Sequence, residues 1–296
     1  MSESEQGNYR SIYRNDLFEG KVILVTGGGT GIGRCIAHEL AALGAHVVLA
    51  ARRAEPLQET AAEIEADGGK ASFLTMNIRD EGDVDAKVQE IIAEHGTIHA
   101  LVNNAGGQFA SPAVFIKPKG WRAVIDTNLT GTWLVTQSVY QHALCASGGS
   151  IVNIVADMWN GFPMMAHTGA ARAAVVNMTK TLSIEWAAAG VRINCVAPGI
   201  ILSSGMHNYP KDIQKMTADI CWKNPSSRLG TESEVSTAVA FLLSPAAAFI
   251  TGETLRVDGG ASLSKENLLA GFKHSAMKAW DGFHRAADVP EIFKDI

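Results

Sequence analysis

Short apolar runs and helical stretches alternate along this chain from its first twenty residues onward. Lys21–Val25, His46–Ala50, Ala71–Met76, Ala100–Asn103, Ile151–Val155, Val191–Val196 and Glu253–Val257 read as strands. Most are continuously apolar instead of alternating, the mark of a strand buried on both faces. Between them Arg34–Leu43, Ala54–Asp67, Asp80–His95, Trp121–Ala146, Pro163–Ala189 and Glu232–Leu243 carry helical spacing. Asp80 offers an N-cap, and Gly68-Gly69, Gly96, Gly148-Gly149 and Gly190 offer stops. Strands of this kind alternating with helices predict an α/β fold, a doubly wound parallel sheet with helices on both faces. No linker rich in Pro, Gly or Ser divides the pattern, so residues 20–262 read as one unit. Residues 1–19 read as a polar N-terminal arm and 263–296 as a C-terminal tail. The mixed segment 200–228 breaks the rhythm and is expected to form a lid. The tail carries Trp280, Phe283 and Phe293, which would pack on a neighbouring subunit or rim a pocket.

The junction between the first strand and first helix reads Thr26-Gly-Gly-Gly-Thr-Gly-Ile-Gly33. Glycines let the backbone turn sharply and approach a ligand closely. The helix behind them presents unpaired N–H groups and a positive dipole end, which suits a pyrophosphate. A glycine-rich loop alone is weak support for a nucleotide site; the strand before it and the helix after it supply the needed context.

Composition narrows the partners. The chain has 296 residues, 47% hydrophobic and 19% charged, with a formal charge of −5. That balance gives no reason to expect nucleic acid or an anionic membrane as partner. No apolar run reaches membrane-spanning length. The N-terminus lacks a basic-then-apolar leader and the C-terminal residues are not a peroxisomal address, so a cytoplasmic location is expected. Cys35, Cys145, Cys195 and Cys221 form no CxxC pair, so they read as buried, reduced thiols and no metal site is expected.

In a doubly wound fold the residue about twenty positions past the glycines reads the adenosine ribose: an acid suits NAD, an arginine the 2′-phosphate of NADP. Here the chain reads Leu49-Ala-Ala-Arg52-Arg53, with no acid before Glu55. Bidentate, charge-assisted contacts to phosphate favour NADPH (NADP+).

Several further motifs now coincide. Thr26-x-x-x-Gly-x-Gly33, Asn103-Asn-Ala-Gly106, Asn128 in Asp126-Thr-Asn-Leu-Thr-Gly131, Arg192-Ile-Asn-Cys-Val-Ala-Pro-Gly199 and Asp258-Gly-Gly260 together resemble the short-chain dehydrogenase/reductase family over roughly residues 18–262. The resemblance implies a Rossmann-like, seven-stranded parallel sheet and a homotetramer or homodimer. It implies a dinucleotide held by Gly27, Thr30, Gly31, Ile32, Gly33, Arg52, Arg53, Asn77, Ile78, Asn104, Ala105, Gly106, Arg172, Pro198, Gly199 and Ile201. The family's proton chemistry rests on Asn, Ser, Tyr and Lys, and only Asn128 matches. The fifth strand reads on into Ile154-Val-Ala-Asp-Met158, where the family usually carries Ser, and Tyr-x-x-x-Lys is replaced by Thr168-Gly-Ala-Ala-Arg172. A shifted frame, Val176-x-x-x-Lys180, lacks the Tyr as well.

An aliphatic hydroxyl is far less acidic than a phenol, and arginine does not release its proton. The altered set therefore disfavours alcohol–ketone interconversion, which needs an acid or base on the oxygen itself. Reduction of a conjugated C=C bond instead needs donors that stabilise an enolate. The divergent region resembles the trans-2-enoyl-CoA reductases of peroxisomal type, and the 2,4-dienoyl-CoA reductases, through Gly106-Gly-Gln-Phe109, Gly161-Phe-Pro163, His167–Arg172, Glu185-Trp186 and Ser244-Pro-Ala-Ala247. That similarity implies NADPH and an acyl-CoA or other small apolar conjugated substrate. Asn128, Thr168, Arg172 and Asp157 are the catalytic candidates. Thr168 would hydrogen-bond the thioester oxygen or merely open a helix, and Asp157 would relay a proton or cap the next segment. His167 is a second acid candidate, Lys180 a supporting or surface residue, and Trp159, Phe162, Met164 and Met165 an apolar lining. Two other readings stay open: an alcohol or aldehyde dehydrogenase for a branched or terpenoid compound, and a non-catalytic NADPH-binding subunit.

Overall fold

The computed structural model describes residues 11–220, 224–264, 274–286 and 288–294. The buried apolar run Val22–Thr26 forms β1; His46–Ala51 is β2, Lys70–Thr75 β3, Ala100–Asn103 β4, Gly149–Ile154 β5 and Val191–Pro198 β6. Ile201–Leu202 and Gly230–Thr231 pair as β7 and β8, and Thr254–Val257 is β9. The main sheet has seven strands in the order β3-β2-β1-β4-β5-β6-β9, every neighbour parallel, as the sequence pattern predicts. The winding reverses between β1 and β4, so a crevice opens beyond their carboxyl ends.

Helices cover both faces. On one lie α1 (Gly31–Ala42), α2 (Ala54–Ala66) and α9 (Glu232–Leu243), whose Ile36, Leu40, Leu57, Val235 and Val239 pack against Ile23, Val25 and Val47 of the sheet. On the other lie α3 (Glu81–His95), the segment 118–147 and α7 (Ala166–Glu185), contributing Val84, Val88, Val135, Val139 and Leu182. Asp80 caps α3 by accepting from the N–H of Asp83 at 3.1 Å. Phe18 is buried with the first core cluster, so the end of the expected arm belongs to the packed body.

The segment 118–147 is not one regular helix. It runs as α4 (Pro118–Ile125), a π-turn (Asp126–Thr130), α5 (Gly131–Val139), a second π-turn (Tyr140–Leu144) and a last turn, α6 (Cys145–Ser147). Thr127 and Thr132 donate their hydroxyls back to Ala123 and Asn128 carbonyls, at 2.8 and 3.0 Å, around the first π-turn. Such back-bonding competes with the helix ladder, and π-turns recur at functional sites. The segment 200–228 holds β7, a 3-10 turn (Ser204–Asn208) and α8 (Lys211–Ile220).

The tail folds onto its own chain. Phe283 is buried under the Arg34 guanidinium, 5.0 Å from its ring, and beside His38. Arg285 makes a two-pronged pair with Asp67 at 2.9 and 2.6 Å. Phe293 is buried with Leu229 next to Leu202 and Met206 of the segment 200–228, whereas Trp280 is exposed. Cys35 and Cys195 are buried as expected, but Cys145 is exposed, because α6 ends at the surface; Cys221 lies outside the described residues. Among the described residues no helix is long and apolar enough to cross a membrane, and no cluster of three or more His, Cys, Asp or Glu is placed to hold a metal ion.

Candidate active site

The turn between β1 and α1 leaves no room for a Cβ at Gly27 or Gly33. Gly27 and Gly31 adopt φ of 67° and 58°, and a Cβ on Gly33 would collide with the Gly27 carbonyl and the Asn104 amide. Asn104 fastens this turn to β4: its Nδ2 donates to the carbonyls of Thr26 and Gly27, both at 3.1 Å. Thr26 answers by accepting at Oγ1 from the N–H groups of Asn104 and Ala105, at 3.1 and 3.0 Å. Thr30 occupies the N-cap of α1, but its side chain makes no capping bond, and the first turn holds no acid. The N–H groups there are thus free for an anion. Gly29 lies against Pro56 and Leu57 of α2, and the exposed Arg52 and Arg53 immediately precede that helix.

Beyond β3, the Asn77 N–H donates to Asp83 at 2.6 Å, and buried Ile78 sits against Gly131. Pro198 ends β6, and Gly199 donates its N–H to Val257 at 2.9 Å. Ile201 is buried in β7. These groups, with Asn104–Gly106, all stand at the carboxyl edge of the sheet, where a bound dinucleotide is accommodated in such folds.

Asn128 and Arg172 meet behind Gly106. A Cβ on Gly106 would lie 2.6 Å from Arg172 Nη2 and 3.0 Å from Asn128 Oδ1. Asn128 is fully buried in the first π-turn and exchanges two bonds with Gly107: it accepts from the N–H at 2.9 Å and donates to the carbonyl at 3.0 Å. Arg172 is buried, donates from Nη1 to the Ile154 carbonyl at the end of β5 at 2.9 Å, and leaves Nε without a partner. No carboxylate pairs with it among the described residues. Burial lowers its pKa to about 10, which still leaves it cationic at neutral pH. A buried cation with an unsatisfied N–H, packed beside Gly106, fits the anionic and ribose groups of a dinucleotide.

Thr168 stands one turn before Arg172 and is fully buried, its hydroxyl 3.3 Å from His167 Nδ1. His167 accepts the Thr168 N–H at 2.8 Å and stacks edge-on with Phe109; burial favours its neutral form. With Nδ1 accepting, its buried Nε2 carries the proton and has no partner. No hydrogen bond joins Asp157 to this group among the described residues. Its N–H donates to Pro198 at 3.0 Å, and its carboxyl is held above the usual range by burial and then by Asp258. Lys180 is exposed and Val176 packs on the cluster around Val175, so the shifted frame Val176-x-x-x-Lys180 brings no lysine to the crevice. Trp159 is partly exposed with Arg256 stacked 4.8 Å over its ring. From the segment 200–228, Tyr209 accepts from Gln108 at 2.5 Å.

Two arrangements escaped the sequence reading. A buried polar chain runs under the crevice: Asn103 donates to Thr136 and Asn153, and Asn153 donates to Thr179. The repeated Asn at strand ends is its only sequence signal. The second is Glu232, buried at the start of α9 beside Gly31, with Oε1 unpartnered. In sequence it looks like an ordinary acid in a helix's first turn.

The profile described as enoyl-(acyl carrier protein) reductase matches residues 27–262. The probable 2,4-dienoyl-CoA reductase of Bacillus subtilis is 35% identical over 249 residues, covering 83% of this chain and 98% of that protein. The peroxisomal 2,4-dienoyl-CoA reductase of Danio rerio is 35% identical over 263 residues, 88% of this chain and 87% of that protein. Among solved structures, the citronellol catabolism dehydrogenase (AtuB) of Pseudomonas aeruginosa is similar with a TM-score of 0.76 and 52% identity, covering 86% of this chain and all of that one. Fold, glycine turn and these relatives agree, and the chain belongs to the short-chain dehydrogenase/reductase family of NAD(P)-dependent oxidoreductases.

Proposed function

We propose that the protein is an NADPH-dependent reductase of a conjugated C=C bond in an enoyl thioester, a trans-2-enoyl-CoA reductase-like activity. The carrying observation is the pair at the start of α7. Thr168 replaces a phenol, while Arg172 places a permanent, unpaired cation at the crevice. The likeness to 2,4-dienoyl-CoA reductases supports an acyl-CoA substrate. The exposed Arg52 and Arg53, with no acid at the end of β2, support NADPH over NADH.

A dinucleotide held in the crevice would supply the hydride for the β-carbon. The Gly27–Gly33 turn and the free end of α1 hold its pyrophosphate. Asn128 locks Gly107 and so shapes the loop over which the substrate lies. Arg172 supplies positive charge for the enolate, and Thr168 and the Nε2–H of His167 are the nearest neutral donors on the same helix. Such preorganised donors in a water-poor site lower the barrier without exchanging a proton with oxygen. The α-carbon takes its proton through solvent. The segment 200–228 acts as the lid, and the chain assembles as a homo-oligomer.

A second reading is supported by the 52% identity to the citronellol catabolism dehydrogenase: NADP+-dependent oxidation of a branched, terpenoid alcohol or aldehyde. NADPH oxidation against a panel of enoyl-CoAs and dienoyl-CoAs, beside NADP+ reduction with branched alcohols, separates the two. Turnover only with the alcohols would overturn the first. NADPH binding with no turnover of any member would leave a non-catalytic, cofactor-binding subunit.

A further inference from the structure

Glu232 opens α9 and is 5% exposed, yet its Oε1 has no hydrogen-bond partner. It is not needed as a cap. Thr231 and Glu234 already form a capping box, and Glu234 is held by Arg228 at 2.9 and 2.6 Å. What Glu232 does face is Gly31, the first residue of α1. A Cβ built on Gly31 would meet only two atoms within 4 Å, Glu232 Oε1 and Ser204 Oγ, each at 3.8 Å. The open space at the free end of α1 is therefore walled by a carboxyl from α9 and a hydroxyl from the lid.

The surrounding charges decide the state of this carboxyl. From α1, Arg34 attracts it but is already committed to Glu63 through two bonds of 2.8 Å. Cys35, also on α1, is kept a neutral thiol by burial and donates to Ser236 of α9. Glu39, further along α1, is itself held above the usual range by burial. From the tail, Asp281 adds a like charge, and Ser233 of α9 donates to it at 3.5 Å. Burial is the largest influence, Arg34 opposes it and Asp281 reinforces it, leaving Glu232 at about 7.

An ionised Glu232 would stand at the anion-binding end of α1 and repel a diphosphate. A neutral one can donate its O–H to a phosphate oxygen. We propose that Glu232 takes a proton from solvent when the dinucleotide binds, and that the neutral carboxyl then serves as a donor at the pyrophosphate seat. The proposal rests on the reading of Gly27–Gly33 as that seat.

Calorimetry of NADPH binding at pH 7.5, in buffers of different ionisation heats, tests it. The wild type should take up a proton that Glu232→Gln does not; the 2′-phosphate's own titration is common to both proteins. Between pH 6.5 and 8.5 the wild-type Kd should weaken by about tenfold more than that of the variant. Equal uptake and equal pH profiles in the two proteins would overturn the role of Glu232. Thr30→Asp tests the seat separately. Asp is a favourable N-cap, so the variant should fold with an unchanged circular dichroism spectrum, yet its fixed charge should weaken NADPH at least tenfold. Unchanged affinity in Thr30→Asp would overturn both readings, whereas loss of affinity there with no proton difference at Glu232 would overturn only the second.

Discussion

Arg172 reaches across from α7 to the last carbonyl of β5, Ile154, at 2.9 Å, and meets no carboxylate among the described residues. A buried cation without a counter-ion costs stability, and such costs concentrate where function requires them. Replacing Arg172 by Met should therefore act in opposite directions on fold and turnover. The melting temperature should hold or rise, while kcat/KM falls by about 10²–10³-fold, the scale of losing one preorganised transition-state donor. Near-normal turnover would remove Arg172 from the site.

Arg52, exposed between β2 and α2, is the residue proposed to read the adenosine ribose. Arg52→Ala should raise KM for NADPH by tenfold or more and leave KM for NADH nearly unchanged, since only the 2′-phosphate loses a charge-assisted contact. Equal changes for both cofactors would contradict the preference.

Asn128 spends both ends of its amide on Gly107. Asn128→Ala leaves that backbone N–H and carbonyl without partners, at a cost of about 1–3 kcal/mol each where they stay buried. A lower melting temperature is expected, with faster amide exchange confined to the loop around 104–111. Exchange unchanged in that loop would show that the clamp does not hold it.

The raised Glu232 also makes stability depend on pH. Its carboxyl ordinarily titrates near 4.5 and is held at about 7 in the fold, so the folded protein keeps the proton that the unfolded chain has lost. The resulting penalty grows from pH 4.5 to about 7 and is constant above. Glu232→Gln should raise the melting temperature by a few degrees at pH 8 and leave it unchanged at pH 4. The same shift at both values would contradict the burial of an ionisable group there.

The fold was legible because continuous apolar strands and helix-spaced segments leave few other packings. β4 and α9 have the bounds their sequence predicts, residue for residue. The tight turn after β1 was legible because a Cβ at Gly27 or Gly33 would strike Asn104 and nearby backbone, so only glycine fits at those two positions. The π-turn at Asn128 was not, since threonine back-bonding leaves no compositional mark in an otherwise helical run. Nor was the setting of Glu232, which exists where α1, α9, the segment 200–228 and the tail converge. Phe283 and Phe293 announced that the tail packs somewhere; that they pack on their own chain depends on His38, Arg34 and Leu229, far away in sequence.

The proposed reduction and the alcohol–aldehyde alternative differ in which carbon exchanges hydride with the cofactor. Incubating the enzyme with NADPH deuterated at the transferring C4 position and a trans-2-enoyl-CoA, then analysing the product by mass spectrometry and NMR, reads this directly. Conjugate reduction gives a saturated acyl-CoA with deuterium on the β-carbon and a solvent-derived proton on the α-carbon. No saturated product from the thioester, together with deuterium delivered from the same cofactor to the carbonyl carbon of a branched aldehyde, would contradict it.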